Sequence, residues 1–120
     1  MLESSTGFDP PLDLVHLARQ CLGDHELEAE LLQLFRQQAP ALTARLSGSP
    51  PLSLEAKAKI AHALRGSALA VGAGRVAGAA SRIEELASAG GDQSSAEARA
   101  IAALLSAVSE ALTEIDRLRG

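Results

Sequence analysis

His62, in the stretch Ile60-Ala61-His62-Ala63-Leu64-Arg65-Gly66-Ser67, is the residue of this chain best placed to do chemistry. An imidazole, with an ordinary pKa of about 6.5, offers a nitrogen lone pair near neutral pH and is a nucleophile in that form but not when protonated. On a helix advancing about 100° per residue, His62 stands about 200° from both Ile60 and Leu64, so if those two face the core it faces water. Residues three and four along share its face, which places Lys59 and Arg65 beside it and Gly66 one turn on. Two cations there can stabilise a phosphoryl group and its transition state, Arg65 through directional donors and Lys59 as a mobile point charge. A mid-helix glycine costs about 1 kcal/mol relative to alanine, so Gly66 is expected to serve by the space it leaves for a phosphate and an approaching partner.

No other residue makes so specific a case. A solvated histidine is ordinarily only that, and His16, beside the apolar stripe of its helix, and His25, just after a helix cap, are assigned no role. Three histidines without metal spacing or a His-Glu-x-x-His arrangement argue against a zinc enzyme. Gly72, Gly74 and Gly78 follow no strand and precede no Gly-Lys-Ser or Gly-Lys-Thr, so a tight interhelical turn explains the first two better than a nucleotide loop does. Glu84 and Glu85 read as solvated surface charge.

The elements that must position His62 are helical. Punctuation at Gly7 to Pro11, Gly23 to Asp24, Ser47 to Ser53, Gly72 to Gly74 and Ala89 to Ser95 leaves five helical segments. The first, about Leu12 to Leu22, is short and repeats Leu14, Leu17, Ala18 and Cys21 on one apolar face. The second, about His25 to Leu46 with Asp24 as N-cap, buries a stripe of Leu27, Leu31, Leu34, Phe35, Leu42 and Leu46, and Pro40 should bend or interrupt it. The third runs from the Ser53 cap to about Val71, where Gly72 is placed to end it and support the turn. The fourth, about Gly74 to Ala89, turns Val76, Ala79, Ala80, Ile83 and Leu86 or Ala87 inward. The fifth, about Ser95 to Leu118, does so with Ile101, Leu104, Leu105, Val108, Leu112, Ile115 and Leu118. Short connections make antiparallel neighbours, and period-2 alternation is absent, so the expected fold is all-α: an antiparallel up-down four-helix bundle with an additional short N-terminal helix.

Composition bounds the rest. One domain, residues 1–120, is expected, with 1–11 as a flexible N-terminal segment. Hydrophobic residues make up 47% and aromatics 2%, a balance that suits helices packed through small side chains. A net charge of −4 and the absence of a basic stripe argue against nucleic acid. Cys21 is the single cysteine, so no intrachain disulfide can form, as suits a reducing cytoplasm. Met1 to Phe8 carries Glu3 rather than a basic flank and reads as neither signal peptide nor anchor, and no apolar run is long enough to span a bilayer.

On these residues the chain resembles the histidine phosphotransfer (HPt) domain family of bacterial multistep phosphorelays. That family's core pattern is a His, two residues, a Lys or Arg, a Gly, often a Ser, and a second Gly before the next helix. His62, Arg65, Gly66, Ser67 and Gly72-Ala73 match it. Val76, Ala80 and Ile83-Glu84 fall where the family has small or apolar positions ending in a Leu-Glu pair, and Phe8-Asp9, Gly23-Asp24 and Leu31 to Phe35 are similar to its N-terminal half. The chain departs from the pattern with Arg65 where Lys is more frequent, Ala63 where Ser or Thr is common, and Gly78 inside the fourth helix.

The resemblance implies a cytoplasmic phosphoryl carrier. Phosphoryl would arrive from an aspartate of a response-regulator receiver domain, rest on His62, and pass to an aspartate of another receiver, with a hybrid sensor kinase as a further candidate partner. It also implies a docking patch near the histidine, here Leu69 with the exposed side of Leu12 to Leu22. No cofactor is expected in the chain itself, because the receiver supplies Mg²⁺, and neither is autonomous ATP-dependent kinase activity, a membrane or nucleic-acid partner, or an oligomer larger than the monomer. The alternatives are a helical adaptor that binds a receiver without accepting phosphate, and a domain that drains a receiver of phosphate.

Overall fold

The computed structural model of the protein describes residues 10–119, so the N-terminal stretch, with Phe8-Asp9, lies outside the described residues. Five α-helices follow one another: α1 (Leu14–Gln20), α2 (His25–Leu46), α3 (Leu54–Val71), α4 (Gly74–Ala89) and α5 (Ser94–Arg119), with no strand among the described residues. Side-chain caps set the main boundaries. The Asp24 carboxylate accepts from the N–H groups of Glu26 and Leu27 at 3.0 and 3.1 Å and starts α2. The Ser53 hydroxyl accepts from Ala56 N–H at 3.1 Å and starts α3. Both satisfy donors that the first helical turn leaves unpaired.

Helices α2 to α5 close a bundle in which each packs on its chain neighbour and α2 meets α5. Arg36 of α2 grips Asp116 of α5 (Nε to Oδ1 2.8 Å), while Arg119 reaches Gln33. Going up α2 from Gln33 to Arg36, the partners go down α5 from Arg119 to Asp116, so the pair is antiparallel. The core holds Phe35, Leu64, Val76, Ile83, Leu104 and Ile115, all fully buried, with Ala61, Ala68, Ala80 and Ala111 between them. These alanines let the helix axes approach closely, which is how a chain so poor in aromatic side chains still packs a continuous core.

α1 lies across α2 and α3 and is shorter than the periodicity of Leu12 to Leu22 predicts. Asp13 takes the capping position, accepting from His16 N–H at 3.0 Å and donating its own N–H to Gly72 C=O at 2.8 Å, so Leu12 is buried outside the helix. At the other end Leu22 adopts φ +53°, which no α-helix continues. Leu14 is half exposed instead of buried, and Leu27, Leu34 and Leu118 also emerge at the edge of their stripes. Pro40 does not interrupt α2. It lacks the N–H that would serve the carbonyl four residues back, yet the helix runs through it and the Thr43 hydroxyl donates to its carbonyl at 3.0 Å.

Gly72 is the position where the backbone leaves least choice. It ends α3 at φ +78°, and a Cβ there would lie 2.6 Å from the Asp13 carbonyl oxygen. Gly72→Ala therefore adds left-handed strain to a backbone clash and is expected to destabilise the fold by about 1–3 kcal/mol. Thermal denaturation followed by circular dichroism should show a Tm lower by several degrees, and an unchanged Tm would contradict this account.

Candidate functional site

α3 places Ile60 and Leu64 in the core and turns His62 outward, its side chain 67% exposed, at mid-helix. α4 returns antiparallel after the Gly72-Ala73 turn and presents Glu84 to the imidazole. Glu84 Oε2 lies 2.8 Å from His62 Nδ1, and Glu84 Oε1 lies 3.1 Å from Arg65 Nε. Arg65 Nη2 also comes within 3.3 Å of His62 Nδ1.

Nδ1 cannot both donate to the carboxylate and accept from the guanidinium. The shorter contact joins a ring N–H to an anionic acceptor and is the stronger of the two. The ring proton therefore sits on Nδ1, and Nε2 keeps its lone pair on an imidazole open to solvent. The carboxylate fixes both tautomer and ring orientation, an arrangement that prepares Nε2 to attack an electrophile delivered from outside. Arg65 supplies a fixed positive charge beside the ring without occupying Nε2.

The remaining sequence-predicted residues divide. At Gly66 a Cβ would meet no heavy atom within 4 Å, so the fold itself makes no demand for glycine there. Leu69, one turn beyond Arg65, is 51% exposed and stands beside α1, whose Val15 is also exposed. Lys59 is exposed on α3 but makes no hydrogen bond or ion pair to the imidazole, so of the two predicted flanking cations only Arg65 is brought to it.

Glu84 is the site residue that reading it as surface charge misses. Its side chain is largely buried between two partners on α3. A signal was present in the hairpin geometry, because His62 and Glu84 lie eleven residues on either side of Ala73, at the centre of the α3–α4 turn. Antiparallel helices bring such positions level.

The other reactive side chains lie elsewhere. Cys21 is buried, and that burial, followed by the Glu28 and Asp24 carboxylates, pushes its thiol up, so it stays protonated and inert. Among the described residues no group of three or more His, Cys, Asp and Glu could hold a metal ion, and no helix is long and apolar enough to cross a membrane.

A family model of the Hpt domain matches residues 30–119. The chain belongs to the Hpt domain family. No curated protein and no solved structure gives a significant match. The matched stretch of the Hpt domain begins within α2 and takes in α3, α4 and α5, so His62, Arg65, Gly66 and Glu84 all fall inside it and α1 precedes it. Hpt domains are phosphocarrier modules rather than kinases, which points to a histidine phosphotransfer role in phosphorelays.

For a phosphotransfer role of this kind, the contact between Glu84 and His62 sets an expectation. Glu84→Ala frees the imidazole to rotate and to exchange tautomers. Phosphoryl acceptance is expected to slow by about tenfold to a hundredfold, the range for losing one charged hydrogen bond. The check is a single-turnover time course with a phosphorylated receiver; a rate equal to that of the unaltered chain would remove Glu84 from the mechanism.

Proposed function

We propose that this Hpt domain carries a phosphoryl group on Nε2 of His62 between the aspartates of response-regulator receiver domains. One observation supports the reading above the others: a solvent-open imidazole at mid-helix is held by a carboxylate on Nδ1, so the free lone pair of Nε2 is directed away from its own protein.

In the forward step Nε2 attacks the phosphorus of the receiver's aspartyl phosphate. The new N–P bond forms as the acyl-phosphate O–P bond breaks, and the receiver's aspartate leaves as a carboxylate. Nδ1 keeps its proton, and the resulting imidazolium is stabilised by Glu84. Arg65 lies close enough to offset the charge of the incoming group, Lys59 adds a mobile cation on the same face, and the gap over Gly66 admits the receiver's active-site edge. The reverse step passes the group to a second receiver. Mg²⁺ belongs to the receivers, whose acidic pockets bind it, so this chain needs to contribute no metal ligand. Leu69 and the exposed side of α1 form the docking patch, and Gly72 holds the two together. A cytoplasmic monomer fits this role, with a hybrid sensor kinase as a further partner.

The test is incubation with a panel of phosphorylated receivers, followed by mapping of the modified residue. Acid-labile, base-stable phosphate on His62 is the expected result. Binding without label would establish an adaptor instead, and loss of receiver phosphate to solvent without phosphohistidine would establish drainage.

A further inference from the structure

His16 is a histidine for which the transfer chemistry has no use, yet it makes a contact that joins two elements far apart in sequence. Its Nε2 lies 2.9 Å from the backbone carbonyl oxygen of Leu69, across from α1 to the last turn of α3. A carbonyl can only accept, and this contact is shorter than the 3.2 Å from Nε2 to the Gln20 amide nitrogen, so His16 donates from Nε2 to Leu69 and Gln20 does not donate to it. That carbonyl belongs to the final turn of α3, where helical acceptors lack partners; Gly72 N–H reaches it only at 3.4 Å.

The contact falls at the residue whose side chain forms the centre of the proposed docking patch. The Leu69 backbone is bound by α1 while its side chain, 51% exposed, stands beside the same helix. Asp13, His16, Leu69, Gly72 and Gly74 line one small shared cleft. Seven residues of helix are too few to be stable alone in water, so α1 depends on its attachments. These are the buried side chains of Leu17 and Cys21, the Asp13 to Gly72 backbone bond at its start, and the His16 bond. Of the three, the His16 bond is the one made directly to Leu69, and it bears on where Val15, at 63% exposure, lies relative to that residue.

We infer that His16 is a positioning residue for phosphotransfer: it clamps α1 to the Leu69 carbonyl and so assembles, from two helices, the apolar patch on which a receiver docks. This rests on the carrier reading and deepens it. His16 does not touch the reacting atoms, so its loss should weaken docking and leave the chemical step intact. The distinguishing signature is a split between the receiver concentration that gives half-maximal rate and the maximal rate itself.

His16→Leu keeps the bulk and removes the donor, whereas His16→Gln keeps an amide N–H in the place of Nε2. Two measurements are made on the full chain. Backbone amide exchange needs no receiver. His16→Leu should exchange Leu17 and Cys21 faster by about tenfold, roughly the loss of one hydrogen bond, with α3 to α5 unchanged and His16→Gln close to the parent chain. Equal exchange of α1 in the Leu variant and the parent would overturn the clamp. Phosphotransfer from a phosphorylated receiver should then show half-saturation raised by about tenfold in His16→Leu, an unchanged maximal rate, and recovery in His16→Gln. A lowered maximal rate at unchanged half-saturation would refute the positioning role. Absence of any phosphohistidine in the parent chain would instead defeat the carrier reading, and the positioning role with it, while the exchange result would still decide whether the clamp exists.

Discussion

Replacing His62 with Gln is expected to abolish phosphoryl acceptance while leaving the bundle folded. The side chain is two-thirds exposed and packs against none of the core, and surface substitutions of this kind usually shift stability by no more than about 0.5 kcal/mol. Glutamine offers an amide N–H toward Glu84 in place of Nδ1–H, so the carboxylate and Arg65 keep a partner. What it lacks is a nucleophilic nitrogen, because the amide lone pair is delocalised into the carbonyl. Acceptance should therefore fall to background, by more than about a thousandfold, as for removal of any covalent nucleophile. The measurement is label transfer from a phosphorylated receiver to each variant, with circular dichroism confirming equal helix content. Label retained on His62→Gln at the parental rate would move the acceptor elsewhere, to His16 or His25, and the proposed function would fall. Receiver binding should survive the substitution, and a pull-down that retains the receiver without label separates lost chemistry from lost docking.

The sequence was most informative wherever a boundary or a facing is decided by residues close together along the chain. The starts of α2 and α3 and the end of α3 agree with their predicted positions because Asp24, Ser53 and Gly72 act on N–H and C=O groups within a few residues. The outward facing of His62 follows from Ile60 and Leu64 in the same way. Features fixed by distant partners were not legible. Glu84 looked like surface charge because His62 and Arg65, which partly bury it, lie on the preceding helix. Lys57, among the most buried charged side chains described, is neutralised by Glu97 on α5, and nothing near Lys57 in sequence announces that pairing. The exposure of Leu27, Leu34 and Leu118 has the same origin. Periodicity shows which face of a helix is apolar, but the neighbouring helices determine how much of that face is covered. α1 ended short for a tertiary reason as well, since the bond from Asp13 to Gly72 holds its start from 59 residues away.

Gly66 yields a prediction in which stability and function should move in opposite directions. Glycine inside a helix is less favourable than alanine by about 1 kcal/mol, because its unfolded chain has more freedom to lose. Gly72 recovers such a cost within the fold through its positive φ and the Asp13 carbonyl that bars a Cβ. Gly66 has neither: it is exposed, its φ is not positive, and a Cβ would meet nothing within 4 Å. Gly66→Ala should therefore stabilise the chain by about 0.5–1 kcal/mol and raise Tm by a few degrees. If the empty space over Gly66 admits the partner's active-site edge to His62, the same substitution should slow transfer. Gly66→Leu, which fills the space one turn from the imidazole, should slow it by about a hundredfold or more, as when a small misplacement of reacting groups is imposed. Both variants should keep their helix content. A graded loss from Gly to Ala to Leu, with rising or unchanged Tm, would assign the glycine to access. Full transfer by Gly66→Leu would leave its helical cost without a function and would require the receiver to approach His62 from the Arg65 and Glu84 side alone.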